Sequence, residues 1–382
     1  MKRIDAPLPS IVSDVYDAEK QLKFKAYFKE KSRFSFWSGG ISFAASFLFF
    51  AFGGFGWLDD LLRYYIQDGT YLTLTYFGIL IIVSDLIFIP FQWYFTFVIE
   101  EKHGFNRTTV KTFLTDKLKG YLITAALGGV LLFSLQHIYN YLQVDFWWLA
   151  WILVAGFMLI SAMFYTSFIL PFFNKLTPLP EGELKNQIEQ YAREQGFSLK
   201  RIYVMDGSKR SSKANAFFSG LGGRKTIVLF DTLIEKLTTN EVVAVLAHEV
   251  GHYKLKHTLT GMFLGLLQTA LLLYLLGYFL SDGALSFALG ASEHSFHLGL
   301  IAFAFLFTPI SLILGIITSF ISRRNEFAAD AFAKKTHSSI ALASALKKLT
   351  IDSLGNVNPH PLNVFFHYSH PPLHTRLQAI ED

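Results

Sequence analysis

Hydrophobic residues in this chain gather into six long runs, near residues 35–57, 76–99, 120–142, 147–172, 258–280 and 298–320. Each is long enough to cross a hydrocarbon core of ~30 Å, which takes ~20 residues of α-helix. Helices buried in a soluble core are shorter than these runs, so the pattern predicts a polytopic membrane bundle. Between the fourth and fifth runs the pattern changes. Residues 178–182 read as a turn and 183–194 as an amphipathic helix. Arg201–Met205, 215–219 and Thr226–Phe230 read as short strands, with a turn at Gly222-Gly223 before the last. Together they predict a small antiparallel sheet. Thr238 and Glu241 stand at capping-box spacing and predict a helix start. The expected fold is mainly α: a bundle of about six spans carrying a cytoplasmic α/β domain. Its parts are 1–172 with four spans, 173–257 as the α/β region, 258–320 with two spans, and 321–382 as a helical C-terminal region.

Composition supports this division. Of 382 residues, 52% are hydrophobic and 40 are phenylalanine, too apolar for an ordinary soluble enzyme. Lys and Arg cluster before the first span and between the second and third, whereas 143–146 and 281–297 have none. The positive-inside rule therefore puts the N-terminus, the 100–119 loop, the 173–257 region and the C-terminus in the cytoplasm. No basic run suits nucleic acid, so no nucleic-acid partner is expected. Residues 1–7 offer no apolar core for a signal peptide.

The chain's most specific chemistry is His248-Glu249-Val250-Gly251-His252. Histidines at i and i+4 share a helix face and can hold one zinc ion, with the glutamate between them reaching the activated water. A catalytic site needs a third protein ligand and an open position, and with no cysteine that ligand must be His, Asp or Glu. The sixth run returns to the same side near Ser322, and Glu326 and Asp330 follow, again i and i+4. Two readings stand at this point. Glu326 ligates the metal with Asp330 behind a ligand histidine, or both acids are a solvated face paired with Arg323 or Arg324. His257, five residues beyond His252, is rotated off the ligand face and reads as a polar anchor at the membrane interface. Asp85 lies inside the second run, and such a residue is expected to face a wet interior cavity.

The chain closely resembles the type I CAAX prenyl protease family, Ste24-like membrane zinc metalloendopeptidases. The likeness runs from about residue 34 to the end. It rests on Phe34-Ser35-Phe36-Trp37-Ser38-Gly39, on Phe97-Val98-Ile99-Glu100-Glu101-Lys102-His103-Gly104-Phe105-Asn106, and on Leu176-Thr177-Pro178-Leu179-Pro180-Glu181-Gly182. Further along stand Gly207-Ser208-Lys209-Arg210-Ser211-Ser212 with Asn215-Ala216-Phe217, the histidine motif, Ser322 through Ala333, and Tyr368-Ser369-His370-Pro371-Pro372-Leu373 with Arg376-Leu377. The resemblance implies a gluzincin-like zinc site of His248, His252 and Glu326 with one Zn2+ per chain, Glu249 as general base, and Asp330 behind the ligands. It also implies that His370 and Arg376 face the active site, and that Asn215 and Ala216 form an edge strand that holds an extended substrate peptide.

The implied activity is cleavage of a peptide or protein near the C-terminus of an isoprenylated CAAX-type substrate. A quality-control protease of the HtpX type and a non-catalytic membrane scaffold are the alternatives. The Glu100–Phe105 motif and four preceding spans argue against the first, and the intact motif residues against the second. Eukaryotic members carry an additional span before the Phe-Ser-Phe-Trp motif and some an acidic insert before the histidine helix. Here residues 1–33 are polar and Leu237-Thr238-Thr239 runs straight into that helix. The compact form favours a bacterial inner membrane; a eukaryotic member would sit in the endoplasmic reticulum.

Overall fold

The structure is a computed structural model that describes residues 6–196, 199, 201–219, 226–281 and 283–382. Among these, six helices are long and apolar enough to cross a membrane: Ala18–Ala51, Gly69–Glu100, Val110–Leu142, Phe146–Phe173, His257–Leu280 and Phe296–Thr336. All six expected runs are present, four of them before the α/β region. The protein is an integral, multi-pass membrane protein.

The helices differ from the apolar runs at their ends. The first begins at Ala18, where the Asp17 side chain accepts a hydrogen bond from the Lys20 backbone N–H at 2.7 Å. Its polar first half stays helical because Phe24 and Tyr27 bury one side of it. It ends early, because Gly53 takes φ +69° and turns the chain into a separate short helix, Gly54–Arg63. Hydrophobicity alone carried the expected span to residue 57 and could not register that break. The sixth helix runs unbroken to Thr336, so its polar tail and its apolar part form one helix. Wider π-type turns occupy Phe95–Glu100, Thr124–Gly128 and Tyr165–Ile169 within the second, third and fourth spans.

The sheet has four strands: β1 (Leu176–Pro178), β2 (Arg201–Met205), β3 (Ala216–Ser219) and β4 (Thr226–Phe230). Their order is β1-β2-β4-β3. The expectation of an antiparallel sheet is corrected: β2 pairs with β4 in parallel, while β1–β2 and β3–β4 are antiparallel. A three-residue strand ending in proline carries almost no period-two signal, which is why β1 was not expected and the turn read at 178–182 overlaps only its last residue. The Gly222-Gly223 turn lies outside the described residues. Helix Glu183–Glu194 and helix Thr239–Lys254 cover the sheet, enclosing Ile188, Ile227, Leu229, Leu233, Val243, Leu246 and Leu342.

Contacts across the molecule define its two ends. At one end the loop after the second span pairs with the loop before β3. Arg107 N–H reaches the Arg210 carbonyl at 3.1 Å, and Ser212 N–H reaches that of Phe105, also at 3.1 Å. At the other end Arg63 meets Glu293 at 3.2 Å, while His297 meets Asp59 at 2.7 Å. The basic segments lie with the α/β region at the first end. Asp85 both pairs and lines a cavity: Lys117, Tyr121 and Gln92 bond it beside a space of about 460 Å³.

Candidate metal and peptidase site

The helix that carries the histidines starts where the capping box predicts. Thr238 Oγ1 accepts from the Glu241 N–H, and the Glu241 carboxylate accepts from the Thr238 N–H at 2.8 Å. Three turns on, Gly251 packs against the sixth helix. A Cβ at that position would stand 3.2 Å from both the Cα and the carbonyl of Ala329. The absent side chain is what lets the two helices close, and the closure brings Glu326 and Asp330 to the histidines.

His248 Nε2 and His252 Nε2 lie 3.1 Å apart. Glu326 Oε1 is 3.2 Å from His252 Nε2, and Oε2 is 3.5 Å from His248 Nε2. One donor atom from each residue falls within 4.8 Å of the other two. Glu326 Oε2 is buried and accepts no hydrogen bond. A buried carboxylate oxygen left unpaired is costly, and two ring nitrogens aimed at one point leave at least one lone pair unmet. The residues therefore fit a divalent cation. The electrostatics agree. Burial alone would lower the His248 pKa, but the Asp330 carboxylate on its Nδ1 and the Glu326 carboxylate facing its Nε2 outweigh burial and lift it to about 9, so the site attracts positive charge.

Behind this cluster, His248 Nδ1 meets Asp330 Oδ1 at 2.8 Å, fixing which imidazole nitrogen faces Glu326. Arg376 donates to both Asp330 oxygens, at 2.8 and 2.6 Å. The reading in which Glu326 and Asp330 form a solvated face does not hold, since they are 4% and 1% exposed. Arg323 instead donates to the carbonyls of Val364 and Tyr368, at 3.2 and 2.7 Å, bracing the segment that leads into His370. His370 Nε2 approaches Glu326 Oε1 at 3.4 Å from the solvent side. Burial holds the Glu249 carboxyl above the usual carboxylate range, against the pull of the two histidines.

A cavity of about 270 Å³ opens on this cluster, lined by Asn215, Ala216, His248, Glu249, Glu326, His370 and Arg376 among others. β3 is an edge strand. The Asn215 carbonyl accepts from Phe230 N–H at 3.0 Å, so the next residue, Ala216, turns its backbone groups to the open edge. There its N–H is met by the Asn215 side chain at 2.9 Å.

Two contributors were not legible in the sequence. His257, expected as an interfacial anchor off the ligand face, lies with its Nδ1 3.0 Å from His252 Nδ1. Lys213, two residues before Asn215, reaches Glu100 at 2.7 Å and sits 4.2 Å over the Phe105 ring. The Glu100–Phe105 motif thus anchors the approach to β3, a link only the three-dimensional pairing of the two loops exposes.

A membrane bundle joined to a soluble unit in which two histidines and a glutamate converge beside a free carboxyl defines a membrane metallopeptidase. The chain matches the family described as CAAX prenyl protease N-terminal, five membrane helices, over residues 1–175, and Peptidase family M48 over 178–382. CAAX prenyl protease 1 of Saccharomyces cerevisiae is 35% identical, over 100% of this chain and 90% of that protein. A human homolog is 34% identical, over 98% and 88%. The crystal structure of S. mikatae Ste24p superposes with a TM-score of 0.95 at 34% identity, covering 100% of this chain and 94% of that one. The protein belongs to the CAAX prenyl protease 1 family of M48 metallopeptidases.

Proposed function

We propose that the protein is a zinc endopeptidase that cleaves near the C-terminus of isoprenylated CAAX-type peptides, with its active site facing the cytoplasm. His248, His252 and Glu326 hold the ion. Two imidazoles and one carboxylate, in a chain without cysteine, are a donor set that suits zinc. When bound, the ion supplies Lewis acidity and lowers the pKa of water toward ~7.

The rest of the chemistry belongs to the protein. The substrate lies extended along β3, pairing with the backbone groups of Ala216 while the Asn215 side chain yields its bond. Glu249 takes the proton from the attacking water as it adds to the scissile carbonyl, then delivers it to the leaving amine. Its raised carboxyl pKa suits a group that must hold that proton between the two events. His370 donates a hydrogen bond to the developing oxyanion. Asp330, held by Arg376, keeps His248 in one tautomer.

The observation that carries this reading is the convergence of Glu326 with both histidine Nε2 atoms beside Glu249. For the substrate, the supporting fact is the full-length likeness to proteins named CAAX prenyl protease 1. The basic segments at the metal end support a cytoplasmic orientation for that end. A farnesylated CAAX peptide and its unprenylated twin, each with and without chelator, test the proposal. Chelator-sensitive cleavage of the farnesylated peptide is expected. Cleavage of neither peptide, or cleavage that survives chelation, overturns it.

A further inference from the structure

We infer that His257 is a positioning residue for the metal site: its Nδ1 accepts the Nδ1–H of His252 and fixes that ligand's orientation and tautomer, as Asp330 does for His248. This rests on His252 being a ligand, as proposed above.

A continuous helix could not deliver this contact. Five residues place a side chain well off the starting face. The chain breaks after Lys254, and Lys256 takes φ +60°, the left-handed region that a residue with a Cβ enters only at a steric cost. A new helix then starts at His257, turned back so that its ring reaches His252 at 3.0 Å. The rings meet edge-on, with planes at 71° and centroids 5.1 Å apart. A strained non-glycine residue at the one joint that creates the contact is a second observation pointing the same way.

The geometry also separates this role from that of a fourth ligand. His252 Nε2 faces His248 and Glu326, at 3.1 and 3.2 Å. His257 meets the other nitrogen, on the far side of the ring. Nδ1 of His252 must carry the proton if Nε2 is to offer its lone pair to a cation. The partner must then accept, so His257 is neutral and protonated at Nε2. The two histidine ligands are therefore unequal. His248 is backed by a carboxylate, which makes its imidazole the more basic, and His252 by a neutral ring.

Cobalt(II) serves as the probe, with the full chain purified in detergent and stripped of metal. Affinity is read by competition with a chelator and ligand geometry by the visible absorption of the bound ion. His257→Phe keeps an aromatic ring but has no acceptor, whereas His257→Gln offers a carbonyl oxygen. The expected result is a 10–100-fold loss of cobalt affinity and a shifted spectrum for His257→Phe, with His257→Gln recovering most of both. Wild-type affinity and spectrum in His257→Phe overturn the assignment. So does an equal loss in both variants, since that marks packing and not acceptance. His252→Ala, measured alongside, must lose cobalt more severely. If it does not, the ligand set itself is wrong and this inference falls with it.

Discussion

Arg376 grips Asp330 by both carboxylate oxygens, at 2.8 and 2.6 Å, and Asp330 in turn receives His248 Nδ1 at 2.8 Å. The guanidinium thus acts on the metal site through a carboxylate and an imidazole. It also stands 3.5 Å from Glu326 Oε2. Only a planar fork with two parallel N–H donors can hold Asp330 this way while keeping its third nitrogen toward Glu326. Arg376→Lys keeps the charge and loses the fork. Metal affinity is expected to fall by about tenfold, and kcat/KM by at least as much, because Asp330 is left buried with a looser partner. Chelator competition and peptide cleavage on the same preparation check both numbers.

Glu249 and Glu326 are both carboxylates at the site, yet their removal has different consequences. Glu249 lines the cavity without bonding either histidine, so Glu249→Gln is expected to retain a full complement of metal while turnover drops by about 10²–10⁴-fold. Glu326 brings one of the three donor atoms that fit a cation, so Glu326→Ala is expected to lose metal first and activity as a consequence. Metal content per chain, measured beside the cleavage rate, separates the two. Normal turnover in Glu249→Gln removes it as the base, and full metal content in Glu326→Ala removes it from the ligand set.

Glu241 gives the soluble region a pH dependence of its own. Burial would raise its pKa, but bonds from Lys348, Ser344 and the Thr238 N–H outweigh burial and bring it from 4.5 down to about 2. The folded state therefore binds the proton more weakly than the unfolded chain. The stabilisation is complete above pH 4.5 and is lost as pH falls through about 2. A shift of this size corresponds to about 2–3 kcal/mol, the lower figure allowing for the exposed Lys348 partner. Glu241→Gln keeps the capping geometry and removes the charge. Its thermal midpoint is expected to be lower than wild type at pH 7 and to converge with it only below about pH 2.

How much of this was readable beforehand follows from the range of each signal. Six apolar runs are local, and six long helices stand where they predict. Thr238 with Glu241 is a three-residue signal, and the cap is there. Gly251 was visible only as a letter inside the histidine motif; its role is to let Ala329 approach, and that depends on a residue far along the chain. The same holds for Lys213 with Glu100. The contact of His257 with His252 escaped for the opposite reason. The periodicity argument assumed a continuous helix, and nothing in Lys254-Leu255-Lys256 resembles a glycine or proline stop. The antiparallel expectation failed at β2 and β4, which pair in parallel; their strand patterns are local and say nothing of direction. β1 was missed because three residues and a proline are too few to alternate. The sequence thus carried the spans and the letters of the His-His-Glu cluster. It did not carry the pairings that bring separate segments together.

β3 offers the most direct test of how a peptide is held. Its inner side is paired to β4, and Ala216 turns its own backbone groups toward the cavity that Glu249 and His370 line. The Ala216 N–H is at present occupied by the Asn215 side chain at 2.9 Å, a short local bond that a substrate carbonyl can replace. Ala216→Pro removes that one donor without touching a bond to β4. The loss of one hydrogen bond, about 1 kcal/mol, predicts a KM raised about fivefold with metal content unchanged. Asn215→Ala frees the N–H and removes its internal competitor, so its effect on KM should be smaller or of opposite sign. Steady-state cleavage of one peptide by both variants decides the matter: an Ala216→Pro enzyme with wild-type KM means the peptide is held elsewhere than along this edge.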